Sequence, residues 1–157
     1  IDAALLVSKD ISNIKFLMVG KGLDKNNIEL NSLIKDSLYK DNFILSGEKN
    51  PHDFYAAMDC FCLSSKAEGF PNVVAEAMAM KIPCVVTDVG DAGRIVGESG
   101  IVVEPMNANA LYKGLILMLA MDKYDREGLG YEARKLIINQ FDIKIVKQKF
   151  IDLVNII

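Results

Sequence analysis

Two apolar rhythms alternate along this chain. Short unbroken apolar runs occur at KFLMVG (15–20), NFILSG (42–47), CFCLS (60–64), IPCVVTD (82–88) and GIVVE (100–104). Their length and their content of Val, Ile and Phe predict five buried strands. Between them the spacing changes to three and four. DAALLVSK near the N-terminus reads as a helix end, and KNNIELNSLIKDSLY as a helix with Ile28, Leu30, Leu33, Ile34 and Leu38 near one face. HDFYAAM after Pro51 predicts a short helix, NVVAEAMAM another, and AGRIVG a turn or two of one. ANALYKGLILMLAM predicts an amphipathic helix entered through Asn107, and helical stretches at 124–139 and 142–156 follow.

Strands that are apolar on both sides and separated by helices belong to a parallel sheet covered on both faces. Right-handed crossovers then make one α/β domain over residues 1–157, a Rossmann-like doubly wound parallel sheet. Such sheets bind ligands beyond the carboxyl ends of their strands. The loops after Gly20, Ser46, Ser64, Thr87 and Val103 are therefore the places to look for chemistry.

Composition narrows the class. Half the residues are apolar and a quarter are charged, as in a globular domain. The net charge of −3, with no Lys/Arg cluster on any element, argues against nucleic acid as a partner. No apolar run approaches the ~20 residues that span a bilayer. The chain opens on IDAALLVSKD without Met, and is expected to be a fragment that begins at a helix. Cys60, Cys62 and Cys84 read as small hydrophobes of a reduced core. His52 is the only histidine, so the C-x-C pair has no second ligand pair for a metal.

The stretch SSKAEGFPNVVAEAMAMKIPCVVTDVG (64–90) concentrates the candidate chemistry. Pro71 suits the first turn of a helix, which predicts a helix start near Phe70 or Pro71. The N–H groups of Asn72 and Val73 then point into the loop without intrahelical partners. With the helix dipole they make an anion site suited to phosphate, and Gly69 lets a ligand approach the backbone. Glu76 lies four residues beyond Asn72, on the same face and about 6 Å further along the axis. A carboxylate only accepts hydrogen bonds, so its natural target is a pair of vicinal hydroxyls such as those of ribose. Glu68, before the helix, would accept from another sugar. The order of acid, phosphate site and acid suits a nucleotide sugar. By residue type alone, Glu76 is equally at home as a solvated helix residue and Glu68 as a capping acid.

The string E-G-F-P-x-x-x-x-E-A-M-A, after a strand ending in Ser-Ser and before P-x-V-V-T-D-V-G, resembles the nucleotide-sugar-binding half of the retaining glycosyltransferases of GT-B fold, family 4. FLMVGKG, FILSGEKNPHDFYAAMDCFCLSS and SGIVVEPMNANAL are similar to other segments of that family, so the resemblance covers essentially the whole chain. It implies the C-terminal half of a GT-B enzyme, with the first strand of the sheet missing and an N-terminal acceptor domain absent. It implies Glu68 as the catalytic-site acid on the donor hexose. Gly69, Phe70, Pro71, Asn72 and Val73 would hold hexose and diphosphate, and Glu76 the ribose. The loop Gly47–Pro51 would receive the nucleobase, with the Gly20–Gly22 turn nearby. Lys25 stands where a dinucleotide fingerprint has its third glycine, which argues against NAD.

The implied activity is transfer of a hexose from a nucleotide diphosphate sugar to an acceptor hydroxyl, as in polysaccharide biosynthesis. A sugar-nucleotide epimerase of the same fold and a non-catalytic nucleotide-sugar-binding module are the alternatives. No cofactor or metal is expected. The family's diphosphate-binding Arg and Lys precede Ile1, so the chain alone is expected to be inactive. His52 is in the wrong place for the family's catalytic histidine and reads as a surface or capping residue. Lys81 replaces a helix-closing Gly, and Asp91-Ala92-Gly93-Arg94 departs from the family pattern in a loop facing the donor. Arg94 reads as a surface residue. The resemblance implies a cytoplasmic enzyme, peripheral to the inner face of the membrane at most. At the C-terminus, Ile143, Val146, Phe150, Leu153, Val154 and Ile157 form an apolar stripe expected either to dock on the domain's own sheet or to mediate self-association.

Overall fold

The computed structural model describes residues 1–155; Ile157, the last member of the C-terminal stripe, lies outside them. The elements alternate as the apolar rhythms predict. Helix α1 (Asp2–Asp10) leads to β1 (Phe16–Val19), α2 (Ile28–Lys35) to β2 (Phe43–Gly47), and two 3-10 turns (Pro51–Asp53 and Tyr55–Ala57) to β3 (Phe61–Leu63). Then come α3 (Asn72–Ala79), β4 (Cys84–Thr87), α4 (Ala92–Val96), β5 (Ile101–Val103), α5 (Ala108–Ala120), α6 (Lys123–Phe141) and α7 (Ile143–Asn155).

All strand pairs are parallel, but they form two ladders, β1-β2 and β3-β4-β5. A single continuous five-stranded ladder is therefore not what the chain builds. The division has a topological reason. In the doubly wound order 3-2-1-4-5-6, leaving out strand 1 leaves 3-2 and 4-5-6. Those are β2-β1 and β3-β4-β5, the expectation for a sheet lacking its first strand.

Strand β4 shows why both faces must be covered. Cys84 and Val86 enter a cluster with Val74, Ala77 and Met78 of α3, Ile95 of α4 and Ala133 of α6. Val85, pointing the other way, joins Val7 of α1 and Leu115 and Met118 of α5. Successive strand side chains alternate faces, so one buried strand feeds two cores. Phe16 of β1 and Cys60, just before β3, meet in the second cluster, which bridges the two ladders.

Several expectations need correction. Helix α2 starts at its Asn27 cap and ends at Lys35, short of the expected reach to Tyr39. Only Leu30 and Ile34 of its stripe are buried; Leu33 is half exposed, and Ile28 and Leu38 lie out in solvent at 85% and 94% exposure. Ile28 is the first residue of the helix, next to its Asn27 cap, and Leu38 lies beyond the Asp36 C-cap, outside the helix whose face is buried. The element after Pro51 is a pair of 3-10 turns rather than an α-helix. Cys62 is exposed although its strand is apolar, because β3 has a ladder partner on one side only. Cys84 is fully buried, and burial raises its thiol well above the ordinary range.

The C-terminal helix does not dock on the sheet. Every described residue of α7 is exposed, including Phe150 at 67%. Asp142, with extended backbone (φ −56°, ψ 138°), separates it from α6, and its apolar stripe stays exposed.

Candidate functional site

The site is built where β3 and β4 end. Leu63 is followed by the loop 64–71, and Thr87 by the loop 88–91. Buried Thr87 ties the two strand ends together, its Oγ1 donating to the Ser65 carbonyl at 2.8 Å. The Asp91 N–H donates to the Gly69 carbonyl at 2.9 Å. Gly90 sits in the left-handed region (φ +53°) directly under that turn. A β-carbon there would come within 2.8 Å of the Glu68 carbonyl carbon and closer still to the carbonyl oxygens of Glu68 and Gly69. Only glycine permits this approach.

Helix α3 starts at Asn72 with Pro71 as its N-cap. The Pro71 carbonyl takes the Val74 N–H at 3.0 Å, leaving the N–H groups of Asn72 and Val73 without hydrogen-bond partners among the described residues. A proline cap has no side chain to offer them. Gly69 has open space on its side-chain side, and the Phe70 ring is 39% exposed, 5.6 Å from that of Phe141. The helix ends as its sequence position demands. Lys81 keeps the left-handed turn (φ +64°), with Lys81 N–H on the Met78 carbonyl and Ile82 N–H on the Ala77 carbonyl. The Lys81 ammonium lies 4.2 Å from the centre of the Tyr131 ring, a cation–π contact that offsets part of the strain.

The two acids flank the helix start in different settings. Glu68 is exposed, and its Oε1 accepts from the Ser65 hydroxyl at 2.6 Å. Glu76 is half-buried one turn further on. Its Oε2 accepts from the Tyr55 hydroxyl at 3.0 Å and lies 3.9 Å from His52 Nε2. Burial, and after it the bond to Glu76, raises the Tyr55 phenol well above its ordinary value, so it stays a donor. His52 is exposed, as a surface residue should be, and it stands at the rim of the site, meeting the Tyr55 ring edge-on at 5.5 Å.

Gly20, Gly22 and Gly47 come together as a second group. All three have positive φ, and the loops after β1 and β2 exchange bonds: Gly20 N–H to the Gly47 carbonyl, and Gly47 N–H to the Leu23 carbonyl. Among the described residues no hydrogen bond joins this pair of loops to the 64–76 segment.

A groove of about 610 Å³ runs along α3 toward the corner between α6 and α7. Phe70, Asn72, Glu76, Arg94, Phe141 and Lys149 line part of it. Arg94 is committed to Asp91 through two bonds of 3.0 Å, which lower the Asp91 carboxyl below the ordinary carboxylate range. No group of three or more metal-ligating side chains occurs among the described residues. No described helix is long and apolar enough to cross a membrane. Sequence reasoning missed Tyr55 and His52 as parts of this site. Their only signal was a polar-aromatic spacing of three ahead of β3, which is common at surfaces.

The family model described as Glycosyl transferases group 1 matches residues 1–121. A capsular polysaccharide biosynthesis glycosyltransferase, CapM of Staphylococcus aureus, is 29% identical over 153 residues, 96% of this chain and 40% of the relative. The N-acetylgalactosamine-N,N'-diacetylbacillosaminyl-diphospho-undecaprenol 4-alpha-N-acetylgalactosaminyltransferase of Campylobacter jejuni is 34% identical over 116 residues, 71% of this chain and 31% of the relative. The chain therefore spans two fifths or less of the length of these relatives. Among solved structures, S. aureus TarM in complex with UDP superposes with a TM-score of 0.85 at 23% identity, covering 98% of this chain and 31% of TarM. That likeness is one of fold.

Proposed function

Because the chain belongs to the group 1 glycosyl transferases, we propose that it is the donor-binding half of a retaining, family 4 type hexosyltransferase. The full enzyme transfers a hexose from a nucleotide diphosphate sugar to an acceptor hydroxyl. The observation that carries this reading is the pair of unpartnered N–H groups at Asn72 and Val73, with a carboxylate on either side at Glu68 and Glu76.

The chemistry follows from where charge moves. The bond between the anomeric carbon and the diphosphate oxygen breaks, and its electron pair leaves with the nucleoside diphosphate. The new bond forms to the acceptor oxygen, whose proton is released. The α3 N-terminus faces the developing charge on the diphosphate, where fixed donors contribute most in the transition state. Gly69 and Phe70 leave room for the hexose, which Glu68 orients through its hydroxyls. Glu76 takes the ribose hydroxyls, and the loop starting at Gly47, beside Gly20 and Gly22, receives the base. The acceptor site and further basic residues for the diphosphate come from an N-terminal domain, so residues 1–157 alone bind nucleotide and do not transfer sugar. The enzyme is placed in the cytoplasm, at most peripheral to the membrane. The exposed stripe of α7 packs on a second protein surface, either that domain or another copy.

The test is a titration of UDP, GDP, ADP and CDP and their hexose conjugates onto the full-length protein, followed by NMR of the product's anomeric centre. Binding of one conjugate and transfer with the donor's configuration kept are expected. An inverted product removes the retaining assignment, and absence of nucleotide binding removes the donor-site assignment. Transfer by residues 1–157 alone would refute the need for the second domain.

A further inference from the structure

We propose that Tyr55 is a positioning residue that fixes the Glu76 carboxylate before the donor arrives, so that one carboxylate oxygen is reserved for ribose. The proposal rests on the reading of Glu76 as the ribose ligand and adds a residue that never touches the donor.

Tyr55 has the build of an anchor. It is 1% exposed and belongs to the core cluster with Leu63, Val74, Ala77 and Met78. Its ring is held on two sides, edge-on to His52 at 5.5 Å and to Phe61 at 6.4 Å. A phenol has one proton to donate. Two acceptors lie in range, Glu76 Oε2 at 3.0 Å and the Val73 carbonyl at 3.4 Å. The carboxylate is closer and charged, so it takes the proton. The bond spans 21 residues of sequence and ties the start of the 3-10 turn before β3 to the second turn of α3.

The two carboxylate oxygens are therefore unlike. Oε2 has the Tyr55 hydroxyl at 3.0 Å and His52 Nε2 at 3.9 Å. Oε1 has no hydrogen-bond partner among the described residues, and Glu76 lines the groove beside Asn72. A free glutamate side chain loses rotamer freedom when it is ordered. Ordering it in the folded protein removes that cost from the binding step. Tyr55 thus acts on affinity for the ribose alone, through Glu76.

The experiment uses the full-length protein and calorimetry. The probes are the best-binding member of the UDP, GDP, ADP and CDP set and its 2′,3′-dideoxy counterpart. The variants are Tyr55→Phe, Glu76→Ala and the double substitution. Tyr55→Phe keeps the ring and removes one oxygen, and a thermal melt checks that the fold is retained. Expected is about a fivefold loss of ribonucleotide affinity with Tyr55→Phe, no change for the dideoxy probe, and no further loss when it is added to Glu76→Ala. If Glu76→Ala discriminates the two probes and Tyr55→Phe does not, the positioning role is overturned while the ribose assignment stands. An equal loss for both probes with Tyr55→Phe marks a merely structural role and also overturns it. If Glu76→Ala weakens both probes equally, the ribose assignment itself fails and the proposal falls with it. Additive losses in the double substitution would show that Tyr55 acts independently of Glu76, again overturning the proposal.

Discussion

Replacing Gly90 by alanine strikes the candidate site from beneath. The residue has φ +53°, where a β-carbon costs roughly 1–2 kcal/mol from local sterics alone. The new carbon would also sit 2.8 Å from the Glu68 carbonyl carbon and closer to two carbonyl oxygens. Real β-carbons essentially never come under 3.0 Å, and the obstacle is backbone, so the 68–71 turn or the 88–91 loop must move by more than about half an ångström. The Asp91 N–H to Gly69 carbonyl bond, now 2.9 Å, would stretch beyond useful length. Losing it adds ~1 kcal/mol, for a total near 2–3 kcal/mol. In a domain of this size that lowers the melting temperature by roughly 5–10 °C. The same movement displaces Gly69 and Phe70 from the α3 N-terminus, so nucleoside diphosphate affinity should fall with stability. Scanning calorimetry and titration calorimetry on wild type and Gly90→Ala read both effects. A melting temperature within a degree of wild type, with unchanged affinity, would refute the close packing of the two loops.

Met118 is fully buried in the α1–α5 core, and Met118→Ala should cost about 2–5 kcal/mol in urea unfolding, against no change if that core is loose. Phe150→Glu should leave the melting temperature alone, because Phe150 is 67% exposed, while shifting sedimentation toward monomer. A wild type that is monomeric at every concentration leaves self-association through α7 without support. The Asp91 carboxyl titrates below the ordinary range because of Arg94, so its contribution to stability is present above the unfolded carboxylate value and is lost as pH falls through the lowered one. NMR titration of Asp91 should show the low midpoint, and Arg94→Gln should return it to the ordinary range.

The parts of this fold legible in the sequence were those set by local chemistry. Pro71 announced the start of α3, and the helix begins one residue later at Asn72. The Val- and Ile-rich runs announced all five strands, because strands buried on both faces need no polar alternation. Lys81 shows a limit of residue-type reasoning: the family's glycine is gone, yet the left-handed turn is kept, with Tyr131 from α6 placed against the lysine. Contacts between distant segments were not legible. Nothing near Tyr55 in the sequence says that its hydroxyl meets Glu76, and Ile28 and Leu38 fit a helical spacing whose helix is too short to use it. Cys62 reads as core because its strand is apolar, whereas its exposure depends on which strands stand beside β3.

The division of the sheet has a consequence for handling the chain. β1 and β3 each carry hydrogen bonds to one neighbour only, so each presents a row of backbone donors and acceptors on its other side. The edge of β1 is written FLMV, without charge or proline to discourage pairing. Lys15, the one cation beside it, is drawn to the Asp41 carbonyl at 2.8 Å, on the β2 side, and guards nothing. With β2 and β5 also paired on one side only, strand addition at these edges is an open route to association that the net charge of −3 opposes only weakly.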